Sequence, residues 1–224
     1  VDTSSVLLVQ PYTGEEAMKG VFSFLEAGVD VVVLDSIAGL IPSDVAAKVQ
    51  EGDFSYSPMA WQARFVTQSI GKIMAYLKHG SAFVAINQLR ENLASIYAPN
   101  TTPGGHGQTF FSHLILNVRR GPWIEETVKG DRVRTGFEMK IEMDKTKVGG
   151  DSWANTTVPF TVEGGIDVLE TYIREAIDKG VIKKTGSWYS FGDIRVQGMT
   201  SLKDAIKENE ELVEQIKNDP TTNE

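Results

Sequence analysis

Apolar positions fall in continuous runs in the first third of the chain and alternate with polar ones further on, so two kinds of sheet are expected. "SVLLVQ" (5–10) and "AFVAI" (82–86) read as short buried strands, and "VVVL" (31–34), apolar and β-branched, as a strand covered on both faces. Thr13-Gly14-Glu15-Glu16 opens a helix that runs to Ala27 and is ended by Gly28. Residues 42–57 read as a polar loop or a partly helical insertion. Ser57-Pro58 then offers a cap and a first-turn proline. Met59, Ala63, Val66, Ile70, Ile73 and Leu77 follow at spacings of three and four, one face of a long helix that Gly80 stops. Strand and helix in this alternation predict parallel βαβ units.

Beyond Ile86 the period becomes two. Phe137, Met139, Ile141 and Met143 alternate with Glu138, Lys140, Glu142 and Asp144, the pattern of a half-exposed antiparallel strand. "LILNV" (114–118) and "TTVPFTV" (156–162) are expected in the same sheet. From Gly164 the composition shifts to a small α+β unit. It has a helix over 168–179, a hairpin-like "GSWYSFGDIRV" (186–196), and a last helix from Ser201 with Asp204 three residues on as a capping box. The expected domains are therefore 1–163, an α/β core, and 164–224, a smaller α+β domain.

Of the 224 residues, 41% are hydrophobic and 23% charged, which suits a globular chain. Without cysteine it has neither disulfides nor thiolate chemistry. No apolar run approaches the roughly 20 residues of a membrane helix, so no membrane partner is expected. The net charge of −8 excludes a basic footprint over the whole domain. The acid is uneven: residues 201–224 alone carry −4, so local basic loops remain open to nucleic acid. The first residue is Val1, not Met.

In open α/β sheets ligands sit beyond the carboxyl ends of the parallel strands. Asp35 and Ser36 follow one such strand and Gln88 the next. A carboxylate there either holds Mg²⁺ beside nucleotide phosphates, directly or through water, or simply caps the segment that follows. A neutral amide on the neighbouring tip suits sensing a phosphate by hydrogen bonding. No glycine cluster reads G-x-x-x-x-G-K-[ST], so the chain encodes no phosphate cradle. The stretch 89–108, "LRENLASIYAPNTTPGGHGQ", lacks periodicity. Thr101, Thr102, Gly104 and Gly105 suit close backbone approach to a phosphodiester chain, and Leu93, Ile96 and Tyr97 suit stacking on bases. On the residues alone, a lid without a ligand is the simpler reading.

"QPYTGEEAM" (10–18), "VVVLDSIAGLIP" (31–42), "INQLR" (86–90), "NTTPGGHG" (100–107), "KTK" (145–147) and "GSWYS" (186–190) occur in the order and spacing of the RecA-type strand-exchange recombinases, which the chain resembles over nearly its whole length. The resemblance implies a RecA-like ATPase core, a mostly parallel sheet with helices on both faces and an antiparallel extension, plus a C-terminal domain with an acidic end. It implies ATP and Mg²⁺ as cofactors, single- and double-stranded DNA and further copies of the chain in a helical filament as partners, and a role in DNA repair and the SOS response. The place implied is the cytoplasm of a bacterial or phage-infected cell.

Residue by residue, Asp35 falls on the family's magnesium-side aspartate and Ser36 on its neighbour. Gln88 falls on the catalytic-site glutamine that links the γ-phosphate to the second DNA-binding loop. Residues 43–59 match the first DNA-binding loop and 92–109 the second, with Met59, Arg64, Arg90, Leu93, Thr102, Gly104 and Gly105 in DNA-contacting positions. Lys145 and Lys147 match a pair that reaches a neighbour's ATP, and Phe110 matches an aromatic at the filament interface. Lys183, Lys184 and Arg195 are candidate duplex contacts. Pro103 and His106 depart from the usual threonine and asparagine, and the first loop has extra residues around 54–57. The family's phosphate cradle lies before the point that matches Val1, so the chain alone is expected to be inactive as an ATPase. A RecA-fold hexameric motor, or a partner subunit that donates trans lysines without a site of its own, are the alternatives.

Overall fold

The computed structural model of the chain describes residues 3–52, 59–77, 80–89, 103, 105, 107–128 and 130–208, with the side chains of 59, 60 and 128 excepted. The chain divides into two compact units, Val1–Ser112 and His113–Glu224.

In the first unit helix α1, Gly14–Glu26, starts where expected. The Thr13 side chain caps it by accepting the Glu16 N–H, and the Glu16 carboxylate reaches back to the Tyr12 N–H. Gly28, at φ +79°, lets the chain leave the helix. Strand β1, Val31–Leu34, pairs in parallel with β2, Ala82–Ala85, in the register Leu34↔Ala85. Helix α2, Ser43–Gln50, fills part of the polar insertion. Helix α3, Met59–Tyr76, makes the crossover between the two strands. The expected Ser57-Pro58 cap lies outside the described residues.

One core forms where Ala17, Met18, Val21 and Leu25 of α1 and Val66, Ile70 and Ile73 of α3 pack on Val32 and Leu34. Strand β1 is expected to be covered on both faces, and the described residues cover one. Val32 is 5% exposed, whereas Val31 is 55% and Val33 57%. Residues 6–9, expected as a strand, form none: their four apolar side chains are exposed after a short 3₁₀ turn at Thr3–Ser5. A strand needs a partner edge for its backbone groups, and no described strand pairs with this stretch.

The second unit is built on a long antiparallel hairpin, β3 (Leu114–Val128) and β4 (Asp131–Thr146), turned at Gly130. β5 (Asn155–Thr161) and β6 (Gly165–Ile166) complete the sheet in the order β3-β4-β5-β6. Trp123, Phe137 and Phe160 form an aromatic row across it, with the last two stacked at 4.9 Å.

Helix α5 (Val168–Asp178), strands β7 (Lys183–Thr185), β8 (Trp188–Phe191) and β9 (Ile194–Gln197), and helix α6 (Met199–Lys207) enclose a second core. Its centre is Ile173, Ala176, Ile182, Leu202 and Ile206. Helix α6 starts two residues before the expected Ser201. Gly198 is its cap, at φ +87° and without a side-chain bond, so the Ser201-to-Asp204 box lies inside the helix.

Candidate functional site

The carboxyl ends of β1 and β2 are tied into one tip. The Ile86 N–H donates to the Leu34 carbonyl, and the Ile37 N–H returns a bond to the Ile86 carbonyl, each at 2.9 Å. Asp35 and Ser36 therefore leave one strand beside Asn87 and Gln88 leaving the other, the neighbourhood expected from the sequence. The Asp35–Ser36 peptide bond is cis, and the chain then makes a 3₁₀ turn over Ile37–Gly39. Asp35 and Gln88 are exposed and Ser36 half-buried. A Cβ built on Gly39 would stand 3.9 Å from the Ser36 hydroxyl, an ordinary contact, so the turn leaves room beside that hydroxyl.

Helix α3 braces this tip. The Gln62 side chain, 8% exposed, donates to the carbonyl of Ile37 at 2.9 Å and to that of Ala38 at 3.4 Å. Gln62 is not among the residues expected at the site, although a polar residue four positions before Val66, on the apolar face, is a signal that something there needs a donor.

A second set of contacts fixes the far end of the glycine-rich segment, also unforeseen. The Asn87 amide donates to the carbonyl of Pro103 and to the Oε1 of Gln108, and Gln108 Nε2 donates to the same Pro103 carbonyl, all at 2.8 Å. From there the chain lies against α3. A Cβ on Gly105 would meet that of Ala63 at 3.0 Å, and one on Gly107 would come within 2.2 Å of the Thr67 hydroxyl. The Phe111 ring rests on Gly71. Ala63, Thr67 and Gly71 recur every fourth residue, so a stripe of small side chains on α3 receives Gly105 and the short helix α4, Gly107–Phe111.

Of the DNA-contact candidates, Met59 is the first residue of α3, Arg64 is exposed one turn on, and Gly105 sits at φ +71° on Ala63. Arg90, Leu93, Thr102 and Gly104 lie outside the described residues, as do His106 and the acidic end beyond 208. Phe110 is 71% exposed and meets Phe111 edge-on at 5.2 Å. In the second unit Lys145 stands near the end of β4, and Lys147 just past it, its N–H bonded to the His113 carbonyl. Desolvation and the neighbouring Lys147 charge lower the Lys145 pKa, as expected of two cations held side by side. Lys184 lies over the Tyr189 ring and Arg195 over Trp188. Among the described residues no cluster of His, Cys, Asp or Glu could hold a metal by itself, and no helix is long and apolar enough to cross a membrane.

A parallel β–α–β unit with a carboxylate, a hydroxyl and an amide at its tip, followed by an antiparallel sheet and a small α+β module, is an α/β arrangement of the RecA-like fold class. The RecA N-terminal domain model matches residues 1–167 and the RecA C-terminal domain model residues 172–219. The chain belongs to the RecA family. It is 34% identical to Protein RecA of Thermus aquaticus over 221 residues, covering 97% of this chain and 63% of that one. To Protein RecA of Lactobacillus johnsonii it is 35% identical, covering 97% and 59%, and to that of Aquifex aeolicus 34%, covering 96% and 61%. The chain thus spans about three fifths of the length of these curated relatives.

Proposed function

We propose that this chain is the magnesium-side and DNA-binding portion of an ATP-dependent recombinase that assembles on single-stranded DNA and pairs it with a homologous duplex. The observation that carries the reading is the shared tip of β1 and β2, where Asp35, Ser36 and Gln88 emerge together and the glycine-rich segment begins. The donor set fits the metal side of a nucleoside triphosphate: Asp35 would hold Mg²⁺ through water, Ser36 would stand beside it, and Gln88 would report the terminal phosphate to the segment that follows it. Bound there, Mg²⁺ would neutralise charge that develops on the phosphates.

The phosphate cradle would come from polypeptide outside these 224 residues. The uncovered face of β1 and the exposed apolar residues 6–9 support this, because in a finished sheet such side chains are packed away. Lys145 and Lys147 would act on a neighbouring copy's nucleotide, their adjacent charges converging on one phosphate. Met59, Arg64, Arg90, Leu93, Thr102, Gly104 and Gly105 would contact DNA from the ends of α3 and the second loop. Residues 1–163 would form the ATPase core and 164–224 the C-terminal domain.

Binding of a fluorescent 36-nucleotide oligo-dT tests this. We expect an affinity that falls steeply with salt and drops at least tenfold in Arg64→Ala. A chain that ignores the oligonucleotide at low salt would refute the DNA-binding reading.

A further inference from the structure

We infer that Gln108 is a positioning residue: with Asn87 it fastens Pro103 and the start of α4 to the tip of β2, so that these three are held together. The inference rests on the proposed DNA-binding role of the glycine-rich segment.

The chain leaves the β2 tip at Leu89, and its return at Pro103 is bonded to the residue just before Gln88. Both ends of the segment are therefore held at one strand end. Asn87 spends its whole side chain on this. Its amide protons go to Pro103 and Gln108, and its Oδ1 accepts the Gln88 N–H at 2.9 Å. The Pro103 carbonyl accepts from both amides, which uses its two lone pairs. The three groups close a ring of hydrogen bonds, and Gln108 is only 9% exposed within it. A displacement of Gln88 pulls on Asn87 through the Gln88 N–H and so reaches the far end of the segment, without passing along the residues between. Gln108 also carries α4: its carbonyl accepts the Ser112 N–H at 3.0 Å and the Ser112 hydroxyl at 2.6 Å.

Leucine separates positioning from packing, because it nearly matches glutamine in volume and lacks the amide. A Gln108 that merely fills space is replaced by leucine at no cost, with Phe111 still seated on Gly71. A Gln108 that positions the arm is not.

In the 224-residue chain we expect Gln108→Leu to speed amide exchange at Gln88 and over 107–112 at least tenfold. Exchange at Ile173 and Leu202 in the second unit should stay as it was. Gln108→Glu, which keeps the acceptor for Asn87 but loses the donor to Pro103, should fall between. Where the unsubstituted chain binds the 36-nucleotide oligo-dT, Gln108→Leu should weaken that binding at least tenfold, and unchanged affinity overturns the inference. Where the unsubstituted chain does not bind, the DNA-binding reading falls and exchange alone decides: acceleration at Gln88 and 107–112 upholds the fastening, and unchanged exchange overturns it.

Discussion

The Arg174 guanidinium grips the Glu138 carboxylate with two hydrogen bonds of 2.9 Å, and so ties helix α5 to strand β4. The same guanidinium also donates to Glu170, one turn back on its own helix. The bond to Glu138 leads in raising its pKa, against the cost of burial, so the group is charged at every accessible pH. Removing one partner strands a half-buried charge. Arg174→Leu should cost about 2–3 kcal/mol, and Glu138→Leu added to it should restore much of the loss. A double-mutant cycle read by chemical unfolding checks both.

Lys203 of α6 bridges Asp167, the α5 cap, and Glu170. Burial works against the Asp167 carboxylate, but the Lys203 hydrogen bond, the Glu170 N–H and the nearby lysine charges outweigh it and hold its pKa below the ordinary value. Burial likewise works against the Lys203 ammonium, and its two carboxylate partners outweigh it and raise its pKa. The stability from Asp167 is present above pH 3.8 and lost as pH falls through its depressed value. That from Lys203 is present below pH 10.5 and lost as pH rises through its raised value. Lys203→Met should destabilise the second core by about 2 kcal/mol at pH 7. Unfolding measured down to pH 2 should show that deficit shrinking below 3.8.

Val31 and Val33 leave one face of β1 apolar and exposed, and Val6, Leu7, Leu8 and Val9 are exposed as well. Such a patch drives association when nothing covers it. The chain alone should sediment as more than a monomer, and Val31→Glu with Val33→Glu should shift it towards the monomer with its helix content intact.

Gly136 and Gly107 are among the glycines that close approach requires. A Cβ on Gly136 would fall 2.1 Å from the Phe160 carbonyl oxygen, a backbone atom that moves only if the β4–β5 pairing moves. A Cβ on Gly107 would meet the side chain of Thr67, which has some room to turn. Gly136→Ala should therefore cost about 3 kcal/mol and Gly107→Ala about 1–2 kcal/mol, read as loss of unfolding free energy.

Short-range pattern carried much of this fold. The spacing from Met59 to Leu77 marked α3, and the alternation from Phe137 to Met143 marked β4, because each reports a face that the element itself buries. The tip residues Asp35 and Gln88 were legible for the same reason, since a polar pair following two apolar runs sits at strand ends. Partners distant in sequence were not. Asn87 and Gln108 are 21 positions apart, and Arg174 and Glu138 are 36. An amide or a guanidinium carries no mark of its partner. Apolar runs also overstate cover: Val31 reads as buried because of its neighbours, whereas burial depends on what packs above it.

ATP turnover stimulated by single-stranded DNA is the sharpest test of a triphosphate site at the tip of β1 and β2. It would be measured on the chain alone and on the chain joined to the part of the Thermus aquaticus relative that lies outside the match. The chain alone should show none, the joined protein should show turnover with Mg²⁺, and Asp35→Asn in it should lower the rate at least a hundredfold. A joined Asp35→Asn protein that keeps its rate would contradict a shared triphosphate site at the tip of β1 and β2, and turnover by the chain alone would contradict a phosphate cradle supplied from outside it.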